Sequence, residues 1–145
     1  MPIFLPREDV KDCIPPQTGR WNVVTCRENV AKKHQIYNAS VKLKFECQCK
    51  RRWTTMKGRC EIKLWKSPQR NNISVCLYLQ QCQRCQKWVD PTPYTKELDS
   101  VIKQKIEKWF HPSHVKGQRY RSTGKPTRNH DSQRCEACKL GKCTE

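Results

Sequence analysis

Three close cysteine pairs constrain this chain more than any other feature. They are Cys47-Gln-Cys49, Cys82-Gln-Arg-Cys85 and Cys135-Glu-Ala-Cys138, with Cys143 a short way further on. Two thiolates so spaced on a tight turn can both reach one ion at about 2.3 Å, and two such pairs complete a tetrahedron. Zinc suits that donor set because it is borderline soft, redox-inert and content with four ligands. The chain holds eleven cysteines, an odd number that cannot pair completely into internal disulfides. A hydrophobic fraction of 35% and a mean hydropathy of -0.96 leave a thin core. A 145-residue chain of this kind forms one domain that needs staples.

The opening Met1-Pro-Ile-Phe-Leu-Pro6 is broken by Arg7, Glu8 and Asp9, too short for the apolar part of a secretory signal. No apolar run reaches the ~20 residues that span a bilayer. The expectation is a reducing, cytoplasmic location, peripheral at membranes at most, where close cysteine pairs mean metal.

The fold class expected is α+β: a small antiparallel sheet of three or four strands with one long amphipathic helix, stapled by zinc. Residues 1–34, with Pro2, Pro6, Pro15 and Pro16, read as an arm packing through Trp21, Val23 and Val24. Residues 35–145 read as the zinc-binding domain. From Tyr37 to Phe45 the apolar residues Ala39, Val41, Leu43 and Phe45 alternate with polar ones, the mark of a half-buried strand. Cys60, Ile62 and Leu64 give a second strand ending near Trp65. Ile73 to Gln81, with Val75, Leu77 and Leu79 on one side, gives a third, and the polar turn between them suits a hairpin. Tyr94 to Phe110 has helical spacing, with Leu98, Val101, Ile102, Ile106, Trp109 and Phe110 on one face. Thr95 is a candidate N-cap, and Glu97 and Asp99 favour the positive end of the helix dipole. Residues 111–130 read as a basic loop.

Cys47, Cys49, Cys82 and Cys85 are expected to share one metal, because the strands ending at Phe45 and Gln81 deliver them to the same end of the sheet. In a straight strand Cys47 and Cys49 would share a face, so the chain must turn between them. His130, Cys135, Cys138 and Cys143, spaced H-x4-C-x2-C-x4-C, are expected to close a second, local tetrahedron. The alternatives are a surface histidine at His130 and a tail thiol at Cys143. Two zinc ions are therefore expected. Cys60 and Cys76 fall on neighbouring strands as small buried hydrophobes; Cys13 and Cys26 remain without a role.

Catalysis is not expected. Cysteine-saturated zinc sites are closed, whereas catalytic ones keep an open position. Zinc deaminases carry H-x-E before their cysteines. Here His34, His111, His114 and His130 are followed two places on by Ile36, Ser113, Lys116 and Ser132.

Phe45-Glu-Cys47-Gln-Cys49 with Trp53, then Gln81-Cys82-Gln-Arg-Cys85, His130-Asp, and Cys135-Glu-Ala-Cys138-Lys-Leu-Gly-Lys-Cys143 together resemble the 3CxxC-type zinc finger of the receptor-transporting protein family. The resemblance runs from about Tyr37 to Cys143 and departs at the first pair, C-x-C in place of C-x-x-C. It implies binding to membrane receptors to assist their trafficking to the cell surface. Related 3CxxC proteins imply RNA binding.

Composition bears on the second of these. The chain has 30 Lys and Arg against 13 Asp and Glu, a net charge of +17. A small domain needs a charge of only about 2 to 8 for solubility, and the excess attracts polyanions. Lys50, Arg51 and Arg52 lie beside Trp53. Arg119 and Arg121 flank Tyr120, within a run that also holds Lys116, Lys125 and Arg128. Cations beside an aromatic ring suit a single-stranded backbone with a stacked base. For Trp53 the alternative is a core position near the metal; Tyr120 is the better stacking candidate. A scaffold that presents its helix to a protein partner is the third reading.

Overall fold

The computed structural model describes residues 2–112 and 134–140. Its centre is a long hairpin: β3 (Gln35–Glu46) and β4 (Arg52–Ser67) pair antiparallel, and β5 (Arg70–Leu77) returns against β4 through a two-residue turn at Pro68 and Gln69. Alternation decides which way each strand faces. Val41, Leu43 and Phe45 of β3, Cys60, Ile62 and Leu64 of β4, and Ile73, Val75 and Leu77 of β5 all lie in one buried cluster.

The sheet is larger than the three or four strands expected. β1 (Ile3–Phe4) pairs antiparallel with the end of β5, β2 (Trp21–Val23) pairs parallel with its start, and β8 (Pro91–Pro93) pairs with β3 on the other edge. That makes six strands among the described residues. The additions are two or three residues long, too short for alternation to register. The third strand also ends earlier than expected. β5 stops at Leu77, and Gln80–Gln81 forms β6, which pairs with β7 (Trp88–Val89) in a separate two-stranded ribbon. Tyr78 and Leu79 continue the apolar run but turn it away from the sheet, so the run alone does not show the break.

The arm carries a short helix, α1 (Arg7–Lys11), whose Val10 is fully buried. The long helix α2 (Thr95–Phe110) lies across the apolar face of the sheet and buries Leu98, Val101, Ile102 and Ile106. Each such side chain is worth about 1.5–3 kcal/mol when fully buried. Its N-cap is Tyr94, with no side-chain cap bond, so Thr95 is not the cap but the first helical residue. Trp21 reaches from β2 to the helix end, with its ring centroid 5.9 Å from that of Trp109 and 6.2 Å from that of Phe110.

The helix also fastens the sheet at an irregularity. The register of β3 against β4 shifts between Val41 and Leu43. There the backbone N–H of Lys42 donates instead to the buried carboxylate of Glu97, 2.8 Å away. An acid that reads as a dipole partner from the sequence thus also satisfies a bulge. Gly58 sits opposite Val41, where a Cβ would meet the Leu43 side chain and come 2.7 Å from the Val41 carbonyl oxygen. Only glycine lets the two strands approach this closely.

A four-residue helix, α3 (Glu136–Lys139), docks on the segment leaving β5. The Leu79 N–H donates to the Glu136 carboxylate at 3.0 Å, and the Glu136 N–H donates to the Leu79 carbonyl at 3.0 Å. Tyr78, Cys135 and Ala137 make a small core of their own. No helix among the described residues is long and apolar enough to cross a membrane.

Candidate metal centre

β3 ends at Glu46 and β6 ends at Gln81, and each strand is followed at once by a cysteine. The two turns that follow share a design. In the first, the Lys50 N–H donates to the Cys47 carbonyl at 2.9 Å, and the Cys47 N–H donates to the Arg51 carbonyl at 2.8 Å. In the second, the Gln86 N–H donates to the Cys82 carbonyl at 2.9 Å, and the Cys82 N–H donates to the Lys87 carbonyl at 2.8 Å. Lys50 (φ 75°) and Gln86 (φ 65°) both adopt the left-handed conformation, costly for residues with a Cβ. The turn required between Cys47 and Cys49 is present, at Gln48 and Cys49.

These turns bring four sulfurs together. The Sγ atoms of Cys47, Cys49, Cys82 and Cys85 all lie within 4.8 Å of one another. Cys47 and Cys85 are 3.2 Å apart and Cys49 and Cys82 are 3.7 Å apart; none is in a disulfide. A tetrahedron with metal–sulfur bonds near 2.3 Å separates its sulfurs by about 3.8 Å. The cluster fits a tetrahedral thiolate site for zinc.

The surroundings favour thiolate at Cys82 and oppose it at Cys47. Burial works against a charge on Cys82, but backbone N–H groups of Cys85 and Arg84 and the neighbouring thiols outweigh it and hold Cys82 below its ordinary value. The Cys49 N–H favours ionised Cys47, yet contact with the Cys85 thiol, burial and the other two thiols together push Cys47 up. A divalent ion supplies the positive charge that lets neighbouring thiolates coexist.

Two further contacts hold the turns in place. Arg51 Nη2 donates to Gln83 Oε1 at 2.8 Å, tying the first turn to the second. Trp53 stacks on Phe45 with ring centroids 5.2 Å apart and planes 9° from parallel, and its Nε1–H donates to Gln80 Oε1 at 3.0 Å. Trp53 is therefore the core residue beside the cluster, and its face is not open to a base. Of its basic neighbours, Arg51 makes the tie to Gln83, Arg52 forms an exposed pair with Glu46 at 3.2 Å, and Lys50 is exposed. Nothing in the sequence marks Gln83 or Gln80 as partners, since each depends on turns that meet only in the fold.

Cys135 is buried and bridges to Gln80, and Cys138 lies in α3. His130 and Cys143, the Cys138 side chain, and Lys116, Arg119, Tyr120, Arg121, Lys125 and Arg128 lie outside the described residues. Cys60 and Cys76 are buried on adjacent strands. Cys13 is buried as well, its thiol donating to the Asp9 carbonyl at 3.4 Å.

A family model described as a zinc-binding domain, the 3CxxC zinc ribbon, matches residues 40–141. The chain belongs to the 3CxxC zinc-ribbon family. The match spans the cysteine cluster, the helix and the third cysteine pair, so zinc is the metal this cluster holds. No curated protein and no solved structure matches the chain. In this 3CxxC domain the described site draws its ligands from two turns more than thirty residues apart in sequence, which makes the metal a clamp between the central hairpin and the β6–β7 ribbon.

Proposed function

We propose that this zinc-clamped, non-catalytic module binds RNA through its basic surface. The observation that carries the reading is the charge of +17. At the metal end Lys50, Arg52, Arg84 and Lys87 are exposed around the cluster, and Lys42 lies 4.5 Å from the centre of the Tyr94 ring. Cations beside partly exposed rings favour a phosphate backbone whose bases can stack. The zinc supplies rigidity, so the cations are held in fixed relation to one another. The test is fluorescence anisotropy with a single-stranded RNA across a salt series. Affinity is expected to fall linearly on a log–log plot with a slope of several, one counterion released per phosphate contact. Absence of binding at low salt would refute the reading.

A second reading is receptor binding in support of trafficking. It draws on the resemblance to receptor-transporting proteins and on two exposed apolar side chains next to the ribbon, Trp88 at 40% and Leu140 at 53% exposure. Such residues suit a protein surface, with the Lys139 ammonium 6.0 Å from the Trp88 ring. Receptor co-precipitation that survives nuclease and is lost in Trp88→Ser would favour it.

A further inference from the structure

At the opposite end of β3 from the cysteine cluster, a groove of about 590 Å³ opens between the start of that strand and the end of α2. We propose that this groove is a nucleotide subsite, taking a phosphate on its two lysines and a base on its two rings. The inference rests on the RNA reading and names where one nucleotide of the strand sits.

One wall is Gln35, Tyr37 and Asn38; the other is Lys105, Lys108 and Trp109. Lys108 and Trp109 lie three and four residues after Lys105 on one helix, which puts each of them beside it. Among the described residues no carboxylate lines the groove. The Lys108 ammonium lies 5.8 Å from the Tyr37 ring centre, and Lys66 approaches from beyond, 5.7 Å from the Trp109 ring. Tyr37 and Trp109 are both partly exposed, so each keeps ring surface available. Trp109 is steadied from behind by Phe110 and Trp21, with centroids 5.1 and 5.9 Å away, so a base would stack on a ring already fixed. The exposed amides of Gln35 and Asn38 offer both donors and acceptors to a base edge or a ribose hydroxyl. The volume falls within the range of small-molecule sites. A planar anion is the ligand chemistry that uses the rings, the ammonium groups and the amides together.

Two sources share that chemistry, a free nucleotide and a nucleotide within RNA, and the experiment separates them. Binding of a 4-thiouridine-containing single-stranded RNA would be compared among wild type, Lys105→Gln/Lys108→Gln, and a control with equal charge loss, Lys57→Gln/Lys96→Gln. Zinc content and far-UV circular dichroism check the fold of each. The groove pair is expected to weaken binding about tenfold and flatten the salt slope by about 2, with the control weakening it less than about threefold. Photocrosslinking of the wild type, which needs no variant to fold, is expected to mark the peptide holding Tyr37 or Trp109. Equal weakening by both pairs, with crosslinks elsewhere, overturns the groove while leaving RNA binding intact. If the wild type binds no RNA, the functional reading itself fails. Uridine monophosphate titrated by NMR then decides the groove: shifts at Gln35 and Asn38 sustain it for a free nucleotide, and no shifts overturn it.

Discussion

The sulfur of Cys47 lies 3.2 Å from that of Cys85, thirty-eight residues along the chain. Nothing but the fold brings them together, and no disulfide joins them. A close approach of four thiol groups at the end of the sheet suits them to hold a cation that offsets their charge. The stability of the domain should therefore depend on that cation.

Cys82→Ser removes the most buried of the four ligands, fully shielded from solvent. Structural zinc sites contribute folding free energy outright, about 10–16 kcal/mol in small peptides. The substitution should release the zinc of this site and lower the melting temperature by at least about 10 °C. Thermal unfolding with zinc counting on the same sample checks it. A variant that keeps the wild-type melting temperature would show that the cluster carries no structural metal.

Gly58→Ala places a methyl group into the Leu43 side chain and 2.7 Å from the Val41 carbonyl. Backbone cannot yield there without disturbing the bulge, so overpacking should cost about 1–3 kcal/mol. Urea unfolding would show a lower midpoint with an unchanged slope.

Glu97→Ala removes the carboxylate that accepts from the part-buried Lys42 N–H. The expected loss is about 1–3 kcal/mol. Glu97→Gln keeps a carbonyl acceptor at the same reach and should lose less. Equal losses for both variants, by chemical denaturation, would mean that the charge and not the hydrogen bond matters.

Alkaline pH should weaken the fold. Burial, with smaller contributions from Cys76 and Glu61, pushes the Cys60 thiol up to about 12 from an ordinary 9.0 against the opposing pull of Arg59 and Lys105, and burial with the neighbouring Asp99 pushes Cys13 up to about 11. The unfolded chain releases these protons first. The folded state then binds more protons than the unfolded one, so stability is intact below pH 9 and falls as pH rises toward 12. Urea midpoints measured across that window should decline, and Cys60→Ala should decline less steeply than wild type.

The central strands and the helix were legible because their apolar residues repeat with the right period over many positions. β3 from Tyr37, the β4–β5 hairpin and α2 all follow from that pattern. The first half of β4, Arg52 to Arg59, escaped the pattern; what else escaped it is short or set by distant partners. β1, β2 and β8 are two or three residues each, and their pairing is decided by the edges of β5 and β3. The break after Leu77 is invisible because Tyr78 and Leu79 stay buried, in a different setting. The pairing of Cys47 and Cys49 with Cys82 and Cys85 was readable from strand ends. The turn conformation of Lys50 and Gln86 was not, since neither is the glycine that usually signals it. The groove between Tyr37 and Lys108 was equally hidden, because its walls lie some seventy residues apart.

Mass spectrometry of the intact protein, treated with N-ethylmaleimide before and after a zinc chelator, tests the metal clamp most directly. Cys49 and Cys85 are partly exposed and would be alkylated readily were no ion bound. At least one zinc ion is expected on the untreated protein, with Cys47, Cys49, Cys82 and Cys85 modified only after the chelator has removed it. Protein purified under reducing conditions that carries no zinc, with those four cysteines alkylated at the same rate with or without chelator, would contradict the account.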